Sequence, residues 1–356
     1  MNSKVELKSK DDHGHWYDNN IDPYKGLAEI IAITIKNSLI SHKISFVDVP
    51  YRHKTKKSFM KKIEDKISEK AYTPESMTDL AGIRVITLIE SDVQKVCDLI
   101  KTMFNVHDQD SVNKSEKLGE EKVGYRSVHF VCDVGDIREQ LPEFSAYKEF
   151  CFEIQVRTAL EHAWAEIEHD RGYKLGGKLP SHLNRRFKLL SGLLESADLE
   201  FNRLTVEIEE YSKQLNDSIQ QDELDYELTT IGLKQLFQNK YKSLRLTGLE
   251  LTDEIGKTLI DELNRFEIDT LSTLDTKIKQ AISQYTFQEN NTILGFCRDL
   301  MMIIDIHKYF ENSFLGSKSW GVTNPETYAF LTKKYQEEEI NAIFKKYEII
   351  IVEDDE

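Results

Sequence analysis

The chain has 356 residues, 40% of them hydrophobic and 31% charged, with a formal net charge of −15. That length can hold two domains, each with its own core, and no apolar run approaches the roughly 20 residues that span a bilayer. The opening stretch MNSKVELKSKDDHGHWYDNN lacks an apolar signal-peptide core, and Cys97, Cys132, Cys151 and Cys297 are far apart with no CxxC pair, which argues against a membrane span, secretion, a thiolate zinc site and a disulfide framework. The expectation is a cytoplasmic protein whose cysteines serve as small buried hydrophobes.

Residues 21–40 read as a helix with Leu27, Ile30, Ile31 and Ile35 on one side. Next comes YRHKTKKSFMKKIEDK, residues 51–66, with seven Lys/Arg against two acids. So basic a segment in an acidic chain suggests contact with polyphosphate or nucleic acid. The spacing predicts that it is helical. GIRVITLI, residues 82–89, reads as a strand, and SDVQKVCDLIKTMF as a helix capped by Ser91. Residues 105–122 are polar and read as a mobile loop. GYRSVHFVCDV, residues 124–134, is a second strand, with Tyr125, Ser127 and His129 on one face and Val128, Phe130 and Cys132 on the other. In FEIQVRTALEHAWAEIEHD, residues 152–170, strict alternation puts Glu153, Gln155 and Arg157 on one face of a strand that then gives way to a helix, with Trp164 and Ile167 expected on its core side. Strands interspersed with helices predict an α/β domain over residues 22–178.

The second half has a different pattern. Leu183, Phe187, Leu190, Leu194, Ala197, Phe201, Leu204, Ile208, Tyr211 and Leu215 alternate by fours and threes, a heptad seam on one long helix. Such a seam wants a helix partner, either from the same chain or from a second copy. EIGKTLIDELNRF and LSTLDTKIKQAISQY keep helical periodicity, TILGFCRDLMMIIDIHKYF is apolar nearly all round, and NPETYAFLTKKY starts with Asn324 as a cap and Pro325 at the first helical position. Residues 183–356 are therefore expected to be a mostly α-helical domain, ending in YEIIIVEDDE as a strand or a tail.

Three polar elements need a joint chemistry. On a helix, Lys54, Ser58 and Lys62 recur every four residues and form a stripe that can grip a chain of phosphates, with Arg52 beside it. Asp79 precedes a strand that carries Arg84. The third element is the Tyr125/Ser127/His129 face together with the Glu153/Gln155/Arg157 face. Neither a Walker A motif nor GxGxxG is present, so phosphate binding must use side chains and metal. Asp79 and Glu153 can hold Mg²⁺, with phosphates and waters completing its octahedron, and Tyr125 can stack on a base. Together these outline a nucleotide-dependent transfer site.

The same residues resemble the synthetase domain of the RelA/SpoT alarmone synthetases. RHKTKKSFMKK is similar to that family's RxKxxxSxxxK signature, DLAGIR to DxxGxR, GYRSVH to GYxSxH, EIQVRT to ExQxRT and HAWAE to HxxAE. The resemblance spans residues 22–178 and none of the second half. It implies an α/β synthetase domain, a mixed sheet flanked by helices and related to nucleotidyltransferases, that moves the pyrophosphate of ATP to the 3′-hydroxyl of GDP or GTP and makes (p)ppGpp. It also implies roles. Asp79 and Glu153 are the Mg²⁺ ligands, and Glu153 helps to activate the hydroxyl. Gln155 and Arg157 orient the acceptor and the phosphates. Arg52, Lys54, Ser58, Lys62 and Arg84 hold ATP. Tyr125 stacks on the acceptor base, His129 sits near its phosphates, and His162 and Glu166 face back over the site. His162, Glu166 and His169 also make a helical H-x3-E-x2-H set that can be read as a metal site.

Only about 50 residues precede Arg52, too few for the upstream hydrolase domain of the long members, so synthesis without degradation is expected. Small members of this kind include enzymes acting on guanine nucleotides and toxins that modify the 3′ end of tRNA. The length of the second half raises the second reading, with residues 183–356 in control. A nucleotide- or RNA-binding regulator without catalysis is a third.

Overall fold

The computed structural model describes residues 10–66, 73–113, 127–174, 180–247, 251–287, 291–314, 322–323 and 325–351. It divides into two compact units, Met1–Thr205 and Val206–Glu356. Among the described residues no helix is long and apolar enough to cross a membrane.

The first unit is built on a mixed six-stranded sheet. Its strands are β1 (Tyr51–His53), β2 (Ala81–Thr87), β3 (Asn105–Val106), β4 (Val112–Asn113), β5 (Val128–Asp133) and β6 (Phe152–Thr158). The order is β1-β2-β6-β5-β3, with β4 also pairing with β5. Only β2 and β6 run parallel; the other pairs are antiparallel. Alternation along the strands decides the two faces. Ile83 and Val85 on β2, Ile154 and Val156 on β6, and Phe130 and Cys132 on β5 are buried in the core, and the opposite face carries Arg84, Glu153, Gln155 and His129, with buried Val131 in register with Glu153.

Helices α1 (Lys10–Ser41), α2 (Lys56–Lys66) and α3 (Glu90–Met103) pack in this unit, followed by α4 (Ala159–Lys174) and the first part of α5 (Ser181–Gln220). Helix α1 starts well before the predicted residue 21 and runs through Pro23. Its first turns are held by tertiary contacts: Trp16 stacks on Phe59 with ring centroids 5.7 Å apart, and Tyr17 Oη donates to the Lys54 carbonyl at 2.7 Å. These contacts offset the backbone hydrogen bond that proline cannot make. Further along α1, a Cβ on Gly26 would lie 2.6 Å from Tyr147 Oη, so only glycine allows this approach.

The structure changes several local expectations. The basic segment is not one helix: residues 51–53 form β1, whose backbone pairs with β2, and α2 begins only at Lys56, capped by the Thr55 hydroxyl accepting from the Ser58 N–H. Ser91 does not cap α3. That helix starts at Glu90, whose carboxylate and that of Asp92 sit in the first turn where the helix dipole favours negative charge, while the Ser91 N–H donates to Asn202 Oδ1. The polar stretch 105–122 holds β3 and β4 in its described part. Ile167 is 56% exposed and is not a core residue, while Trp164 is partly buried and donates its indole N–H to the Phe187 carbonyl. Cys97, Cys132 and Cys297 are buried free thiols and Cys151 is partly buried; burial pushes the Cys97 thiol up to about 12.

The second unit is mostly helical. Besides the end of α5 it contains α6 (Thr230–Asn239), α7 (Asp253–Arg265), α8 (Leu271–Ile282), α9 (Ile293–Ile304), α10 (Pro325–Lys334) and α11 (Glu337–Lys346). Thr229, Thr252, Thr270 and Thr292 each cap one of these helices by accepting from a backbone N–H three residues on. Helix α9, the apolar segment, is at the centre: Phe296, Cys297, Leu300 and Met301 are fully buried. Beside them Arg298 makes a two-pronged ion pair with Glu262, at 2.7 and 2.9 Å, both side chains lying in the core. Residues 350–351 form a short strand parallel to 322–323, so part of the final segment is a strand. Asn324, read as a cap, lies outside the described residues.

The division between the units falls inside α5, the seam-bearing helix. Burial along that helix is uneven. Leu215 is buried, whereas Leu190, Phe201, Leu204 and Ile208 are 51%, 51%, 44% and 55% exposed. The heptad pattern is therefore present as sequence but is not covered along its length.

Candidate active site

Register across the sheet assembles the polar face. Arg52 pairs with Gly82, Gly82 with Glu153, and Glu153 with Val131; one step along, Arg84 pairs with Gln155 and Gln155 with His129. Residues in register on neighbouring strands point to the same face. Arg52, Arg84, Glu153, Gln155 and His129 are thus gathered from four strands by hydrogen-bond register, and Arg157, two residues beyond Gln155, joins them.

A pocket of about 450 Å³ opens on this face, lined by Arg52, His53, Lys54, Thr55, Ser58, Lys61, Lys62, Asp65, Asp79, Gly82, Ile83, Arg84, Glu153, Gln155 and His169. Five of these are Lys or Arg against three carboxylates, an excess of positive charge that suits a polyanion even though the whole chain is acidic. Helix α2 puts Phe59 and Ile63 into the core and Ser58 and Lys62, four residues apart, towards the pocket. Lys54 precedes the helix, yet it reaches the same place because its N–H donates to the Leu80 carbonyl, next to Asp79. Lys54 Nζ is 2.6 Å and Lys62 Nζ 2.9 Å from Asp79 Oδ2. The other oxygen, Asp79 Oδ1, is buried with no hydrogen-bond partner.

Glu153 is held by its neighbours. His129 Nδ1 lies 2.8 Å from its Oε1, and Gln155 Nε2 donates to the same oxygen at 2.7 Å. Burial pushes the Glu153 carboxyl up, but those two hydrogen bonds, with the charges of His129 and Lys62, outweigh it and bring the pKa down to about 2. The ionised carboxylate can only accept, so His129 donates from Nδ1, and its Nε2 lies 2.7 Å from the hydroxyl of buried Ser127. At the far side, Arg84 Nη1 is 2.7 Å from Glu166 Oε1, and Arg157, only 2% exposed, has Nη2 3.5 Å from the same oxygen.

Of the residues singled out from sequence, Arg52, Lys54, Ser58, Lys62, Asp79, Arg84, Glu153 and Gln155 line the pocket. His129 is tied to it through its hydrogen bond to Glu153, and Arg157 and Glu166 through ion pairs. His162 is not among the lining residues: its Nδ1 is buried without a partner, and burial, with the charge of Arg157, pushes its pKa down. Tyr125 lies outside the described residues. The pocket also recruits His53, Lys61, Asp65 and His169, which the motifs do not mark; Lys61 belongs to the basic segment 51–66, and His169 to the helical H-x3-E-x2-H set.

Among the described residues no group of three or more His, Cys, Asp or Glu can hold a metal, and Glu166 is engaged by Arg84, so His162, Glu166 and His169 do not form a metal site. Asp79 and Glu153 are a two-carboxylate set in one pocket, one with an orphaned buried oxygen. That fits Mg²⁺, which is commonly bound by one or two carboxylates and takes its remaining ligands from phosphates and water.

Residues 51–178 match the protein family described as "Region found in RelA / SpoT proteins". Over those residues the chain is similar to the RelA/SpoT family. GTP pyrophosphokinase YjbM of Bacillus subtilis is 31% identical over 137 residues, 38% of this chain and 61% of that relative. GTP pyrophosphokinase YwaC of the same organism is 28% identical over 120 residues, 32% of this chain and 51% of the relative. The chain thus spans less than two thirds of either. A crystal structure of the small alarmone synthetase 1 from Bacillus subtilis superimposes with a TM-score of 0.47 at 26% identity, over 55% of this chain and 99% of that one. The matched residues contain the whole pocket lining, from Arg52 to His169.

Proposed function

We propose that the RelA/SpoT region transfers the pyrophosphate group of ATP to the 3′-hydroxyl of a guanine nucleotide, GDP or GTP, making an alarmone. The observation that carries this reading is the convergence of Lys54, Lys62, Arg52 and Arg84 with Asp79 and Glu153 in one pocket, inside a region whose curated relatives are named GTP pyrophosphokinases. Bound Mg²⁺, held by Asp79 and Glu153, would supply neutralisation of charge on the transferred group.

The side chains then have separable tasks. Lys54, Lys62, Arg52 and Arg84 bind the triphosphate, and Ser58 adds a hydroxyl donor. Gln155 and Arg157 sit one and two alternate positions along β6 from Glu153, where they can orient the acceptor. Tyr125 stacks on its base. Glu153, with a pKa of about 2 in the ligand-free state, stands there as a carboxylate at neutral pH. Its place in the reaction is then to hold charge and geometry, with His129 and Ser127 fixing its orientation.

The test is incubation of the full chain with Mg²⁺ and γ-labelled ATP, with GDP, GTP, GMP or bulk tRNA in separate reactions. Label in GDP or GTP, with AMP released, supports the reading. Label in tRNA alone replaces the acceptor, and label in none of them overturns the reading.

A further inference from the structure

Two ammonium groups converge on a single carboxylate oxygen in this pocket. Lys54 comes from the link after β1, Lys62 from α2 and Asp79 from the segment before β2, so three separate pieces of backbone build the cluster. Lys54, Lys62 and Asp79 are 16%, 30% and 21% exposed, unlike a solvated surface pair. A cation therefore already stands beside Asp79, one of the two carboxylates that the proposed function gives to a divalent ion. Asp79 Oδ1 is left buried and unpaired. A dication brought to that oxygen with both ammonium groups in place would be repelled by each at close range, in surroundings that screen charge less than water does.

We propose that Lys62 is an internal counter-ion standing in for the divalent cation in the ligand-free site, and that a triphosphate releases it. The inference rests on the pyrophosphate-transfer reading for the identity of the triphosphate. Phosphate oxygens draw Lys62 and Lys54 away from Asp79, and the carboxylate opens towards the metal as its guard leaves. Metal and nucleotide then bind to each other's benefit, and metal alone binds poorly. Lys62 is a positioning residue acting through Asp79, and its two effects have opposite signs. Removing it weakens nucleotide binding and strengthens binding of bare metal. A lysine that only gripped phosphate would lack the second effect.

The experiment titrates the full chain with Mn²⁺ alone, reading free Mn²⁺ by its paramagnetic resonance signal, and repeats the titration with a saturating non-hydrolysable ATP analogue. Lys62→Met is expected to bind Mn²⁺ alone about tenfold more tightly than wild type, within the usual range of coupling between sites. The gain on adding the analogue shrinks correspondingly. Lys54→Met acts on the same oxygen and shifts Mn²⁺ affinity in the same direction, so a poorly folded Lys62 variant, judged by its melting curve, does not remove the test. Asp79→Asn added to Lys62→Met abolishes the gain. If both folded lysine variants bind Mn²⁺ alone no more tightly than wild type, the counter-ion role is wrong. That result stands apart from the labelling assay: a transferase with no gain in metal binding loses only the counter-ion, and a gain without transfer loses only the reaction.

Discussion

Arg84 on β2 and Glu166 on α4 are joined by a 2.7 Å ion pair although 82 positions separate them. The pair sets the helix against the sheet where the pocket's cations begin, and Glu166 also offers its charge to nearly buried Arg157. Because Glu166 is half exposed, the pair is worth only about 1 kcal/mol or less to the fold. Its weight falls on binding. Arg84→Ala should raise the KM for ATP about tenfold, the scale of a lost charge-assisted hydrogen bond. The melting temperature should change little. Steady-state kinetics and a thermal melt check both, and an unchanged KM would remove Arg84 from the ATP site.

On the proposed Mg²⁺-binding role, Asp79→Asn and Glu153→Gln should each reduce transfer about a hundredfold or more, since a metal ligand accounts for several kcal/mol at about 1.4 kcal/mol per tenfold. Both substitutions keep volume and exchange one acceptor oxygen for an NH2 donor without touching the backbone, so the far-ultraviolet circular dichroism spectrum should match wild type. Near wild-type turnover with Mg²⁺ in either variant would refute the assignment.

Glu161 gives a pH dependence of opposite sign to that of Glu153. Burial, followed by the nearby charges of Asp198 and Glu90, raises its carboxyl to about 8 despite the Thr158 N–H and Arg157. A raised pKa means stability fully present below the unfolded value near 4.5 and lost as pH rises through about 8. Asp198, also raised by burial, accepts from the Thr158 hydroxyl and shares this dependence. Melting temperature should therefore fall between pH 6 and pH 9, and Glu161→Gln should flatten the fall, gaining about 3 °C or more at the alkaline end. Glu153 contributes above its unfolded pKa and loses that contribution only as pH falls through about 2, so the alkaline trend is not its doing. Melting curves across that range, on wild type and variant, decide the point.

The seam on α5 separates into two kinds of position. Leu215→Ala removes a fully packed side chain and should cost about 2–5 kcal/mol, whereas Leu204→Ala, at a half-exposed site, should cost about 0.5 kcal/mol or less. Phe201→Asp with Leu204→Asp probes the exposed stretch. Reduced mass by light scattering would mean that a second copy covers it, and unchanged mass with unchanged melting would mean that it faces solvent.

Arg298 and Glu262 are buried to 1% and 0% exposure. Arg298→Met alone leaves a carboxylate in the core without its partner and should cost about 3–5 kcal/mol, while Arg298→Met with Glu262→Leu should be close to neutral. Chemical denaturation of the single and double variants measures the difference.

Much of the site could be read from the chain alone because its chemistry rests on alternation and short spacings, which are local. Glu153, Gln155 and Arg157 share a face in any strand, and Ser58 and Lys62 share one on any helix. The hydrophobic pattern likewise marked β2, β5, β6 and the helical second half. What no local pattern contains is register. That Glu153 lies level with Gly82 and Val131, and Gln155 with Arg84 and His129, follows from which strands pair and how far each is slid along its neighbour. The helical reading of residues 51–55 failed for the same reason: pairing of β1 with β2 satisfied backbone groups that a helix would have paired internally. The heptad seam shows the converse. Its period is a property of α5, but whether Leu204 is covered or Leu215 buried depends on what packs beside each turn. Lys62 is the sharpest case. Its charge and spacing mark it as a phosphate ligand, while its place 2.9 Å from Asp79 exists only because α2 and the approach to β2 converge in the folded chain, where close range and partial burial turn two distant residues into one electrostatic unit.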